Sequence, residues 1–96
     1  MRPSDALALY REEIRCIVAR NKGQNPRVFG SVLHGNDHEG SDLDLLIDAG
    51  NGMTLFDIAG IMRDIKRLVP IGVDVKTPED LSVKFRSQVV NEARPL

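Results

Sequence analysis

GSVLHGNDHEGSDLDLLID, residues 30–48, compresses a turn, a loop and a strand into one stretch. Its last seven residues, DLDLLID at 42–48, alternate: Leu43, Leu45 and Ile47 fall on one face and Asp42, Asp44, Leu46 and Asp48 on the other. That is the period of a strand with one side in a core. Residues 35–41, GNDHEGS, read as loop, and RVFGSV at 27–32 as a short strand that runs through Gly-Ser into a turn, where a short helix can begin. IGVDVK at 71–76 alternates again, with Ile71, Val73 and Val75 on one face and Gly72, Asp74 and Lys76 on the other. Between the two alternating stretches, Thr54 caps a helix that runs to about Val69 before Pro70 ends it. Its apolar positions Leu55, Phe56, Ile58, Ile61, Met62, Ile65 and Leu68 form a stripe broad enough to lie on a sheet.

Further out, Leu7, Tyr10, Ile14, Ile17 and Val18 recur at three- and four-residue steps, which predicts an amphipathic helix from Ser4 to about Asn21, capped by Ser4 or Asp5. Gly23 to Pro26 breaks it. After Thr77-Pro78 a last helix over 81–93 carries Phe85, Val89, Val90 and Ala93. The order helix, strand, strand, helix, strand, helix predicts a single α/β domain over 1–96, a small mixed β-sheet flanked by helices.

The chain has 96 residues, 42% of them hydrophobic, with three Phe, one Tyr and no Trp, so its core must be largely aliphatic. Cys16 is the only cysteine and cannot form an internal disulfide. It is expected to be a buried structural thiol in a reducing compartment. No signal-peptide pattern and no apolar run of membrane-spanning length is present, so a cytoplasmic location with no membrane partner is expected.

The net charge of −1 argues against general nucleic-acid binding. The charge is unevenly spread, with four basic against ten acidic residues over 35–80. Such a block repels itself unless solvent or cations neutralise it.

The spacing of those carboxylates points to cations. Asp42 and Asp44 stand two apart on a strand, their Cα atoms ~6.6–6.8 Å apart and their side chains on one face. Two such carboxylates can hold two divalent ions ~3.5–4 Å apart, the arrangement of two-metal phosphoryl-transfer sites. Oxygen-only donors favour Mg²⁺ or Mn²⁺ over zinc. Asp74 supplies a third ligand if its strand lies beside the first, and could help take a proton from an attacking hydroxyl. At the strand–turn junction Gly30 lets a phosphate approach the backbone, and the Ser31 hydroxyl and the amides around it are anion donors. Phosphate donors joined by one loop to a metal cradle make a nucleoside triphosphate site. Gly-Ser, ten residues, then Asp-x-Asp arises by chance in roughly one chain of this length per thousand at ordinary residue frequencies.

Other signals carry less. Gly35 to Ser41 lacks the lysine of a P-loop. His34 and His38 flank Gly35 and Asn36, which do not continue a helix, so a His-metal site is not expected. Arg11, Arg15, Arg20 and Lys22 are expected on a solvated helix face, and Asp48 as strand-end solvation.

GSVLHGNDHEGSDLDLLID followed by VDV resembles the minimal nucleotidyltransferases of the DNA polymerase β superfamily. Nearly the whole chain is similar to the MntA-like antitoxins of HEPN/MNT toxin–antitoxin systems. The resemblance implies that fold, catalytic metal ligands at Asp42, Asp44 and Asp74, nucleotide contacts at Gly30 and Ser31, two Mg²⁺ ions as cofactors and ATP as substrate. It also implies a partner, an HEPN-family RNase toxin whose tyrosine the antitoxin adenylylates. Family members commonly carry Arg-Gly after Gly-Ser-x-x, where this chain has His34-Gly35, cationic only when protonated. Two other functions remain in view: transfer to a small-molecule hydroxyl, and a non-catalytic module that masks a partner. A homo-oligomer is the alternative to a toxin complex.

Overall fold

A computed structural model describes all residues, 1–96. Helix α1 spans Pro3–Arg20, strand β1 Gly23–Phe29, helix α2 Gly30–His34, strand β2 Leu43–Ala49, helix α3 Leu55–Leu68, strand β3 Val73–Lys76, helix α4 Val83–Glu92 and strand β4 Arg94–Pro95, with a 3-10 turn at Pro78–Asp80. The four strands form one mixed sheet in the order β3-β2-β1-β4. β1 runs antiparallel to both β2 and β4, and β2 runs parallel to β3. The predicted α/β architecture is the observed one.

The core follows the alternation read in the sequence. Leu43, Leu45 and Ile47 of β2 are fully buried with Ile61 and Ile65 of α3 and Ile14 and Val18 of α1. Ile71 and Val75 join them from the β3 segment. Both long helices therefore lie on this face of the sheet, leaving Asp42, Asp44 and Asp74 on the other. Strand β2 is internal, flanked by β1 and β3, so even its outer-face Leu46 is fully buried. Asp57 accepts a hydrogen bond from the Thr54 N–H at 2.8 Å, which fixes the predicted start of α3.

Several expectations need correction. Helix α1 begins at Pro3, whose fixed φ suits the first helical position, and neither Ser4 nor Asp5 caps it. The Ser4 N–H is instead taken up by the carboxylate of Asp37 at 2.9 Å, from the loop before β2. Strand β1 starts at Gly23, four residues before the expected point. Its register shifts between Gln24 and Arg27, where Asn25 takes φ +51, so the bulge hides the strand from an alternation test. It ends at Phe29, and Ser31 and Val32 belong to α2. Cys16 is exposed. Asp48 is not simply solvated: its Oδ1 receives the nearly buried Arg27 guanidinium at 2.6 Å. Arg11, Arg15, Arg20 and Lys22 are all exposed, as expected of a solvated face, and from it Arg20 and Lys22 reach Asp64 and Asp57 of α3, both at 3.9 Å, while Arg15 donates to the Leu96 carbonyl at 2.6 Å. The broad stripe of α3 lies on the sheet through Ile61 and Ile65, and Leu55 and Phe56 at its first turn stay 79% and 89% exposed. No helix is long and apolar enough to cross a membrane.

Candidate active site

The parallel register of β2 and β3 sets Asp44 directly opposite Asp74, and the antiparallel register of β1 sets Phe29, the residue before Gly30, opposite Asp44 from the other side. Asp42 lies just ahead of β2, where Leu43 N–H donates to the Gly72 carbonyl at 2.8 Å. The strand–helix–strand unit thus gathers the three predicted carboxylates, and the Gly-Ser turn, at one end of the sheet.

Two glycines make room for this. Gly72 leaves the space its side chain would fill to the Asp42 carboxylate, and Gly30 does the same for Asp44 Oδ2. Gly30 also has φ +72, a left-handed conformation that other residues adopt only with strain. The chemistry expected of Gly30 was phosphate access. Its position adds a second demand, the approach of a carboxylate.

Asp44 carries the electrostatic load. Burial first, then the charges of Asp74 and Asp42, push its carboxyl up to about 6, against the partial relief of Lys76. A like-charge cluster of this kind is relieved when a divalent ion binds. Lys76, which the motif did not single out, stands two residues beyond Asp74 on the same face with its Nζ 3.8 Å from Asp74 Oδ1. The alternation of 71–76 put it on that face and could have identified it.

No three acidic, histidine or cysteine side chains are drawn together closely enough to enclose an ion unaided. Mg²⁺ is usually held in that way, by one or two carboxylates with water and substrate phosphates completing the shell. The all-oxygen donor set and the mutual repulsion at Asp44 fit such an ion. Ser31 sits half-buried in the first turn of α2, and its side chain makes no hydrogen bond within the protein. His34, at the other end of that short helix, is drawn toward α4, its Nε2 3.3 Å from Glu92 Oε2. The largest cavity, about 580 Å³, lies between α1 and α3 on the opposite face of the sheet and takes no part in this arrangement.

Known proteins are similar to this chain in sequence and in fold. A candidate protein adenylyltransferase of Methanocaldococcus jannaschii, MJ0435, is 26% identical over 80% of this chain and 83% of its own length. A solved structure of a candidate minimal nucleotidyltransferase superposes with a TM-score of 0.86 at 38% identity, covering 97% of this chain and 95% of that one. A toxin–antitoxin crystal structure with AMP-PNP shares the fold at a TM-score of 0.71 and 22% identity, covering 86% of this chain and 68% of that one. The nucleotidyltransferase domain model matches residues 11–96, a span that includes the Gly-Ser turn and all three aspartates. On that match, supported by its sequence relatives, the chain belongs to the nucleotidyltransferase domain family and is a nucleotidyltransferase enzyme.

Proposed function

We propose that this nucleotidyltransferase is a Mg²⁺-dependent protein adenylyltransferase, an antitoxin that transfers AMP from ATP to a tyrosine hydroxyl of a partner HEPN RNase toxin. The observation that carries the transfer chemistry is the side-by-side register of Asp44 and Asp74 with Asp42 two residues upstream. The acceptor and the donor nucleotide rest on the family resemblance, on the adenylyltransferase assignment of the MJ0435 relative and on the AMP-PNP bound in the toxin–antitoxin structure of the same fold.

In this reading Asp42, Asp44 and Asp74 would hold the metal, with water and the triphosphate completing its shell. Bound Mg²⁺ would offset the negative charge of the carboxylates and the triphosphate and make the acceptor hydroxyl easier to deprotonate. The acceptor oxygen forms a bond to the α-phosphorus, the bond from that phosphorus to the bridging oxygen breaks, and pyrophosphate leaves. Asp74, beside Asp44 at the strand end, receives the hydroxyl proton. The Ser31 hydroxyl, unengaged within the protein, donates to a phosphate oxygen. A hydrogen bond to a charged group is worth roughly 1.5–3 kcal/mol. Ser31→Ala is therefore expected to lower kcat/KM for ATP by about ten- to a hundredfold with little change in melting temperature. Kinetics within twofold of the parent would make the Gly-Ser turn purely structural.

The acceptor must come from a partner held in line with the α-phosphate. Leu55 and Phe56 on α3, with Val83 at the start of α4, leave apolar surface exposed that a helical partner would cover. Co-expression with the product of the adjacent gene, followed by intact-mass measurement, is expected to show an added adenylyl group on that neighbour. The mass should vanish with Asp44→Asn. A chain that stays monomeric and modifies no neighbour with any nucleotide would overturn the antitoxin reading while leaving the family intact.

A further inference from the structure

The acidic cluster shares a wall with a second concavity. A cleft of about 240 Å³ lies between α2 and α4, bounded by Gly30 and His34 on one side and by Phe85, Gln88, Val89 and Glu92 on the other. The four α4 residues are spaced i, i+3, i+4 and i+7, one face of the helix. That face is held in place from behind, where Arg86 donates to the Pro78 carbonyl at 2.7 Å and to the Leu81 carbonyl at 3.0 Å. The His34–Glu92 pair at 3.3 Å spans the cleft from helix to helix. Gly30, on the near side, is the residue whose missing side chain admits the Asp44 carboxylate. A ligand with its phosphates at the carboxylates can therefore extend its other end into the cleft.

The lining suits a flat heterocycle. Phe85 is 53% exposed, leaving much of its side chain unpacked. Gln88 Nε2 donates to Glu92 Oε1 at 3.2 Å. An ionised Glu92 can only accept, so this bond fixes the amide orientation and leaves one N–H and the carbonyl oxygen of Gln88 unpaired. The cleft is smaller than the ~300–1,000 Å³ of pockets that enclose whole small ligands, as expected of a site for one end of a ligand.

We propose that this cleft is the nucleobase subsite, in which the base stacks on Phe85 and Gln88 reads its edge in favour of adenine. The inference rests on the reading of Gly30, Ser31 and the aspartates as the triphosphate site. Adenine presents an acceptor and a donor side by side, N7 and the N6 amino group, which an amide matches with its N–H and carbonyl. Guanine presents two acceptors, N7 and O6, and leaves the amide carbonyl facing an oxygen.

Titration calorimetry of the full chain with Mg²⁺ separates this proposal from the reading beneath it. The probes are inorganic tripolyphosphate and the non-hydrolysable analogues of ATP and GTP. The parent chain should bind the ATP analogue at least tenfold tighter than tripolyphosphate, and the GTP analogue more weakly than the ATP analogue. Phe85→Ala should weaken both nucleotides by about ten- to a hundredfold, the range for loss of one base–aromatic stack, and leave tripolyphosphate unchanged. Phe85→Trp should restore nucleotide binding, and Gln88→Ala should bring the ATP and GTP analogues level. Thermal melts confirm that each variant is folded. Unchanged nucleotide affinity in Phe85→Ala and Gln88→Ala overturns the subsite while the triphosphate site stands. A parent chain that binds neither tripolyphosphate nor the ATP analogue overturns both.

Discussion

Asp44→Asn is expected to abolish nucleotidyl transfer and, in the absence of metal, to make the protein more stable. The two effects have one origin. Asp44 sits beside Asp74 across the β2–β3 register and two residues from Asp42, and burial together with those charges raises its carboxyl from 3.8 to about 6. A folded-state value above the unfolded one means the fold favours the protonated acid. The corresponding stability is complete below about pH 4 and is lost as pH rises through about 6, beyond which the ionised group opposes folding. Every tenfold change in proton affinity between the folded and unfolded chain corresponds to about 1.4 kcal/mol. Solvent reaches this carboxylate, so screening reduces the realised penalty to about 1–2 kcal/mol. The neutral amide removes it.

In chelator at pH 7–8, Asp44→Asn should therefore melt about 5–10 °C above the parent, a gain that disappears near pH 4. With Mg²⁺ the parent should gain stability that the variant does not. Transfer should fall by at least about a thousandfold, the rate equivalent of about 4 kcal/mol. Undiminished transfer would end the metal reading, and a lower melting temperature in chelator would show that Asp44 supports the fold rather than straining it.

Gly30→Ala should be among the most damaging single methyl groups in the molecule. It meets two obstacles at once. A side chain at φ +72 costs roughly 1–2 kcal/mol, and the new Cβ would occupy the position of Asp44 Oδ2. The first cannot be relieved locally, because Gly30 joins β1 to α2, and the second only by turning the Asp44 carboxylate out of its place in the cluster. A displacement of about 1 Å in a reacting group can cost a hundredfold in rate. The variant is expected to lose about that factor in kcat and to melt several degrees lower. Gly52→Ala is the control. It shares the positive φ, +77, with no atom near its missing side chain, so it should lose stability without losing transfer. Equal activity in Gly30→Ala and the parent would show that the turn has slack.

The placement of the candidate site's residues could be read from the chain because its signals are short-range. Alternation over 42–48 assigned each side chain to a face, and the intervening helix allowed β3 to lie beside β2, the pairing that sets Asp74 opposite Asp44. What stayed hidden depends on pairing between distant segments or on an interrupted period. β4 is two residues long and is a strand only because Arg27 and Val28 pair with it. The first half of β1 is disguised by its bulge. Asp48 meets Arg27, and Asp37 meets Ser4, across separations that leave no periodic trace. Cys16 was a misreading of an available signal: it lies about 200° around the helix from Ile14, away from the buried stripe of Ile14, Ile17 and Val18. The helix expected over 81–93 forms at Val83–Glu92, and none of its residues is buried, because its apolar face borders a cleft.

The hydrogen bond from Ser4 to Asp37 gives the ten residues between Ser31 and Asp42 a particular character. Asp37 is 8% exposed, and the Ser4 N–H holds its carboxyl below the usual range. The segment is therefore a brace pinned at its midpoint to the helix that packs beneath the sheet. A brace has a fixed length. An insertion on either side of Asp37 would have to bulge outward or break the pin, whereas a slack tether would absorb it at little free-energy cost. Between the two halves of the motif, then, residue count acts as a dimension of the site, kept by a side chain that belongs to neither half.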